Sequence, residues 1–168
     1  MAEIKTERLV LRLFEASDAD EAFGNITARL TEFMSWEPPA TWEAFAIIWR
    51  QWLISNADGT DLHFVIRSAE AGRFLGLAGL HSARTDNAEL GIWVREDCHG
   101  LGIGREAIHA IVAWASGQLL MKRFVYPVAE QNIASRKIAE SLGGKVVSRQ
   151  NLKKYNSVTY HISVAGRT

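Results

Sequence analysis

The chain of 168 residues has a single cysteine, Cys98, so it forms no internal disulfide. A lone thiol suits a reducing compartment, and a cytoplasmic location is expected. No apolar run approaches the roughly 18 residues that a membrane span needs, so no membrane partner is expected. Neither sign of charge dominates, with 19 Lys and Arg against 19 Asp and Glu. Without a basic excess, non-specific nucleic-acid binding lacks its electrostatic drive, and no nucleic-acid partner is expected. There are only three prolines, and no repeat or low-complexity tract breaks the chain. One domain over residues 1–168 is therefore expected, as a monomer or homodimer. The opening "MAEIKTERLVLR" alternates charged and apolar residues, unlike a signal or transit peptide. Asn25 heads a glycosylation sequon that a cytosolic chain would leave unused.

What is present is an ordinary globular composition, 48% hydrophobic and 23% charged. "ERLVLRLF" (Glu7 to Phe14) alternates and predicts a strand. "SDADEAFGNITARL" predicts a helix capped by Ser17 or Asp18. After a Pro-Pro stop, Thr41 caps a second helix that ends before "NADG". Trp42, Trp49 and Trp52 recur there at helical spacing and read mostly as core. "DLHFVIRSAEAGRFLGLAGLHSA" and "NAELGIWVRE" predict three strands in an antiparallel meander. A glycine segment then leads into a helix to about Leu120, with Ile108, Ile111, Val112 and Ala115 on its core face. Strand "KRFVYPV", helix "NIASRKIAESLGG" and two closing strands complete the chain. The helix between "NAELGIWVRE" and "KRFVYPV" makes those strands a parallel crossover pair. The expected order is β-α-α-β-β-β-α-β-α-β-β: a mixed α/β sheet, mostly antiparallel, with helices on both faces.

The segment "HGLGIGREA" carries the chemistry. Glycines ahead of a helix let backbone N–H groups converge on a phosphate at the positive end of the helix dipole. A nucleoside-triphosphate loop needs Lys and then Ser or Thr after its last glycine, but Arg105 and Glu106 follow Gly104. "GIGREA" (Gly102 to Ala107) satisfies the dinucleotide pattern, which would make the protein an NAD(P)-binding oxidoreductase. In that fold the glycines follow their strand almost at once, whereas "REDCH" intervenes here. About twenty residues on stand Lys122 and Arg123, where an acid would be wanted for the ribose. Cys98 and His99 are adjacent, so their side chains do not form a nucleophile–base pair, and no third orienting group is evident.

"HGLGIG", His99 to Gly104, resembles the Q/R-x-x-G-x-G/A pyrophosphate loop of the GNAT acetyltransferase superfamily. The similarity covers essentially the whole chain. "TERLVLR", "MSWEPPATWEAF", "NAELGIWV" and "AEQNIASRKIAESLGGKVV" resemble the ribosomal-protein N-terminal acetyltransferase (RimJ/RimL-like) branch. The resemblance implies the acyl-CoA N-acyltransferase fold, acetyl-CoA as cosubstrate, no metal, and transfer of an acetyl group to a primary amine of a small molecule or protein N-terminus. It implies that His99, Gly100, Leu101, Gly102, Ile103 and Gly104 hold the pyrophosphate. His99 stands where the family usually has Gln or Arg.

By the same resemblance, Glu89 is the general base on the incoming ammonium. Read by itself, Glu89 is an acid at a strand end that meets solvent or a cation. Backbone groups near Trp93 and Val94 would bond the pantetheine arm in a gap between splayed strands, although a Trp in a strand is more often core. Asn132 would contact pantetheine and Ser135 would protonate the departing thiolate, with Tyr126 as the fallback. Read locally, Asn132 is simply a helix cap with Ser135 in its first turn. Phe33, Met34 and Trp36 would line the acceptor site. Lys153 and Lys154 would suit an acidic acceptor, or would merely solvate a turn. A catalytically silent CoA-binding module is the remaining alternative.

Overall fold

The computed structural model describes residues 2–164. Eight strands form one sheet: β1 (Glu3–Lys5), β2 (Leu9–Leu13), β3 (Leu62–Ser68), β4 (Phe74–His81), β5 (Ala88–Val94), β6 (Arg123–Ala129), β7 (Lys145–Asn151) and β8 (Asn156–Ser163). Four helices accompany them: α1 (Ala19–Asn25), α2 (Trp42–Asp58), α3 (Ile103–Gln118) and α4 (Ile133–Ser141). The spatial order is β1-β2-β3-β4-β5-β6-β8-β7. The expected meander is β3-β4-β5, and the expected parallel pair is β5–β6. One strand more is found than the sequence predicts, the three-residue β1, which folds back on β2.

Two apolar layers form because strand side chains alternate between faces. On one face, Leu9, Leu11, Phe64, Ile66, Leu90 and Phe124 pack against Ile108, Ile111 and Ala115 of α3 and Ala139 of α4. On the other, Val65, Leu77 and Trp93 meet Ala22 of α1 and Phe45 of α2. Each large side chain buried this way contributes about 1.5–3 kcal/mol. The second layer also holds a buried charge cluster. Asp18 accepts from Arg12 Nη1 at 2.8 Å, Arg12 Nη2 at 2.7 Å and Arg67 Nη2 at 2.7 Å, and its side chain is 1% exposed. Burial pushes the Asp18 carboxyl up, but the bonds from Arg12 and Arg67 outweigh it and hold it below its ordinary value.

Local chemistry explains the element ends. Thr41 caps α2 by accepting from Ala44 N–H at 3.1 Å, and α2 runs on through the predicted stop to Gly59, which is left-handed at φ 67°. Asp18 precedes α1 without capping it, because its carboxylate is turned to the arginines. Helix α1 stops at Asn25, well short of the predicted Leu30. Thr27 Oγ1 there accepts from Leu30 N–H, and Thr31 Oγ1 donates to the Thr27 carbonyl. These side-chain bonds compete with helix continuation.

The decisive feature is at the middle of the sheet. Strands β5 and β6 pair only at Ala88↔Phe124 and Glu89↔Val125. Beyond Glu89 they part, and β5 stays with β4 alone. The gap opens a cleft of about 570 Å³ through the sheet, lined by β5 and β6, the start of α4, α2 and the α1–α2 loop.

Candidate active site

On the α3/α4 side, the chain leaves β5 through a 3-10 turn (Glu96–Cys98) and enters α3 across Gly100 and Gly102. Both glycines are left-handed, at φ 77° and 76°, a conformation that strains any side chain with a Cβ. The first α3 amide with a helical acceptor is Glu106, bonded to the Gly102 carbonyl at 3.1 Å. The N–H groups of Ile103, Gly104 and Arg105 precede it and face outward along the axis. Gly104 has another reason to be glycine. A Cβ there would lie 3.3 Å from Ile138 Cδ1 and 3.6 Å from Ile92 Cδ1, so its absence lets α3 sit against α4 and β5. The His99 ring shares a 2.6 Å hydrogen bond between Nε2 and the Val94 carbonyl, which ties the loop to the end of β5. Cys98 is buried in the core beneath, away from that ring's partner.

A cation that the sequence reading missed braces this loop. Arg8 donates from Nη1 to the Leu101 carbonyl at 2.9 Å and from Nε to Glu106 at 2.6 Å. Thr6 Oγ1 also donates to Glu106, at 2.5 Å. A Cβ on Gly102 would fall 3.4 Å from Arg8 Nη2, so the guanidinium stands beside the helix N-terminus. No local motif flags Arg8; only the pairing of the first strands with α3 brings it there.

Alternation of hydrogen bonds along β4–β5 decides which groups of β5 face the gap. Arg95 N–H bonds the Leu75 carbonyl at 2.8 Å, which makes Leu77↔Trp93 and Gly79↔Gly91 bonded pairs as well. Trp93 therefore spends its main chain on β4, and its side chain is core at 8% exposure. Ile92 and Val94, past the last β5–β6 pair, present their main-chain groups to the gap. Beside it, Asn132 caps α4 by accepting from Ser135 N–H at 3.2 Å. Ser135 Oγ shares a 2.6 Å hydrogen bond with Tyr126 Oη. Burial pushes the Tyr126 phenol up to about 12, against a smaller lowering by Ser135, so the phenol keeps its proton at neutral pH.

On the α1/α2 side, Glu89 is exposed and faces the same cleft, directly opposite His81 on β4. Phe33, Met34 and Trp36 line this end as a roof, with Trp52 of α2 beside them. Lys154, from the β7–β8 hairpin, holds that roof. Its Nζ donates to the Thr31 carbonyl at 2.7 Å and pairs with Glu37 at 2.8 Å. Lys154 is thus a strap, and its charge is spent within the protein. Neither Lys153 nor Lys154 is among the residues lining the cleft, which removes the basis for an acidic acceptor.

The acetyltransferase (GNAT) domain family matches residues 8–145. The chain belongs to that family. An N-acetyltransferase 9-like protein of Caenorhabditis briggsae is 33% identical over 104 residues, 54% of this chain and 52% of its own. An uncharacterised protein of Methanocaldococcus jannaschii is 30% identical over 108 residues, 64% of this chain and 21% of its own. The GNAT chain thus spans about half the length of one curated relative and about a fifth of the other. Among solved structures, the ribosomal L7/L12 alpha-N-protein acetyltransferase RimL in complex with coenzyme A superposes with a TM-score of 0.84 at 16% identity, over 97% of this chain and 98% of that one. A spermidine N-acetyltransferase from Vibrio cholerae, in complex with CoA and spermine, gives 0.81 at 18%, over 94% and 96%. At such identities the likeness shows the fold.

Within this GNAT fold, the residues singled out in the sequence fall into two groups around one cleft. Asn132, Ser135 and Tyr126 line one end of the gap, while Val94, Gly100, Gly102 and the first turn of α3 lie beyond it, outside the residues that line the cleft, with Gly104 against Ile92 and Val94. Glu89, Phe33, Met34 and Trp36 stand at the other end. Ser135 and Tyr126, read as alternatives, are one bonded pair. His63 and His81, which the sequence reading passed over, also line the cleft.

Proposed function

We propose that the protein transfers an acetyl group from acetyl-CoA to a primary amine of a small molecule or a protein N-terminus. The observation that carries this reading is the parting of β5 from β6 between a glycine-opened helix N-terminus and an exposed carboxylate. Pyrophosphate fits the outward N–H groups at the start of α3, beside Arg8. Pantetheine fits the gap as an added strand against Ile92 and the amide of Val94, while His99 keeps the Val94 carbonyl. An N–H of β5 facing the gap then polarises the thioester carbonyl; one such donor is worth about 2.7–4 kcal/mol in a transition state.

The amine approaches from the Glu89 side and attacks the carbonyl carbon directly. Glu89 draws the ammonium and takes part in removing its proton. The C–S bond breaks, and the thiolate takes a proton from Ser135, whose hydroxyl is held by Tyr126 and regains its proton from solvent in the cleft. Holding both reactants in one cleft removes much of the entropic barrier.

The test is thiol release from acetyl-CoA over a panel of peptides and small amines. An acceptor-dependent rate is expected, and Glu89→Gln should lower it far more than it lowers acetyl-CoA affinity. Bound acetyl-CoA with no thiol release from any amine would leave the silent CoA-binding module as the reading.

A further inference from the structure

Three residues on the acceptor face have no role in the account above: Asp61, His63 and His81. They lie on the β3–β4 side of Glu89, the last residue of β5 that pairs with β6. His81 ends β4 and pairs directly with Glu89 on the same face. The next pair on that face is Gly79↔Gly91, which leaves the sheet bare of side chains. The His81 ring lies across this bare floor. A Cβ on Gly79 would fall 2.6 Å from His81 Nε2, and one on Gly91 would fall 3.7 Å from it. Two glycines therefore make room for one imidazole at the mouth of the gap.

The other ring nitrogen faces an acid. His81 Nδ1 is 3.7 Å from Asp61 Oδ1, and that oxygen is fixed by the Ser82 N–H at 2.8 Å. A carboxylate on that side favours the tautomer with the proton on Nδ1, and leaves the Nε2 lone pair over the glycines. His63 stands 5.3 Å away between ring centroids and stacks on Trp52 at 4.9 Å. Burial, with His81 nearby and against the pull of Asp61, lowers His63 to about 4. His63 is therefore neutral near pH 7 and adds no charge opposing a cation on His81. The titratable groups facing the His81 ring are Asp61 and His63 from the β3 side and Glu89 from β5. Among the described residues, no three His, Cys, Asp or Glu side chains group as a metal site.

We infer that His81, oriented by Asp61, takes the proton from the acceptor ammonium while Glu89 holds that ammonium opposite it. The inference rests on the acetyl-transfer reading. The N–H bond breaks and an Nε2–H bond forms, directly or through one water. The freed lone pair attacks the thioester carbon. As the C–S bond breaks, Ser135 gives its proton to the thiolate and takes up the second N–H proton of the tetrahedral adduct through water. His81 then releases its proton to solvent. His81 is the catalytic residue in this scheme, and Asp61 is a positioning residue.

The experiment uses 2-phenylethylamine as probe, because the acceptor end is walled by Phe33, Trp36 and Trp52. His81→Gln should lower thiol release about 100-fold at pH 7. Its acetyl-CoA affinity should stay within about two-fold, and the loss should shrink as rising pH frees the amine without help. Asp61→Asn should lower turnover about ten-fold with acetyl-CoA affinity kept, because the Nδ1–H loses the carboxylate that orients it. A purely structural role would scale the rate equally at every pH.

A second measurement needs no acceptor and decides alone if wild type leaves the probe untouched. Ring ¹⁵N shifts, assigned by their loss in H81Q, should report the Nδ1–H tautomer, and D61N should redistribute the proton between the two ring nitrogens. An Nε2–H tautomer, a tautomer unchanged in D61N, or H81Q turnover within about three-fold of wild type would overturn the inference. Failure of acetyl-CoA to bind wild type would instead overturn the acetyl-transfer reading itself.

Discussion

The two ends of the cleft are built differently. The cofactor end is largely main chain: the N–H groups at the start of α3, the unpaired edge of β5 and the capped start of α4. Its parts come from two short runs, residues 92–105 and 132–135, with Arg8 and Tyr126 added from afar. The acceptor end is nearly all side chain: Phe33 and Trp36 from a loop, Trp52 from α2, and His63, His81 and Glu89 from three strands. On the proposed reading, a main-chain cradle serves a cosubstrate whose phosphate and amide groups are invariant. A side-chain wall is free to vary with the amine. The layers beneath differ too, since α3 and α4 rest on apolar contacts while α1 is pinned by Asp18 between Arg12 and Arg67.

The largest effect should come from breaking that pin. Asp18→Asn leaves two arginines facing a neutral amide and should cost about 3 kcal/mol of stability, measured by urea unfolding. The sign with pH follows from the lowered Asp18 value. Its contribution is complete above the unfolded carboxylate range near pH 4, and is lost as pH falls through the folded value. Asp18→Asn should therefore flatten the acid limb of the stability profile. Ser135→Ala should lower turnover about 100-fold with acetyl-CoA affinity kept, and Tyr126→Phe should lower it less. Gly102→Val puts a branched side chain at φ 76° beside Arg8 and should weaken acetyl-CoA binding about ten-fold, measured by calorimetry. The smallest effect should be that of Lys154→Met. Releasing the strap on the roof should raise KM for the amine about three-fold, with acetyl-CoA affinity unchanged.

This division also explains what was legible in the sequence. Gly100, Gly102, Asn132 and Thr41 act on backbone within three or four residues, so a local pattern reveals them. The element order follows from periodicity, and only β1, three residues long, carries too little of it to be seen. His63 and His81 are eighteen residues apart, and only β3–β4 pairing makes them neighbours. Lys154 reaches Thr31 across 123 residues, so its spacing suggested a solvated turn where the fold makes a strap. Tyr126 and Ser135 were both visible, but their hydrogen bond depends on how α4 lies over β6. Asp18 looked like a cap because it precedes a helix; the arginines that claim it come from β2 and β3.

The central claim is that the gap between β5 and β6, opened at one end by Gly102 and α3, is a seat for acetyl-CoA. Calorimetric titration of acetyl-CoA into the wild-type protein tests it most directly. The account predicts saturable one-to-one binding that weakens in Gly102→Val and persists in Glu89→Gln. No saturable binding at millimolar acetyl-CoA, or binding indifferent to Gly102→Val, would contradict it.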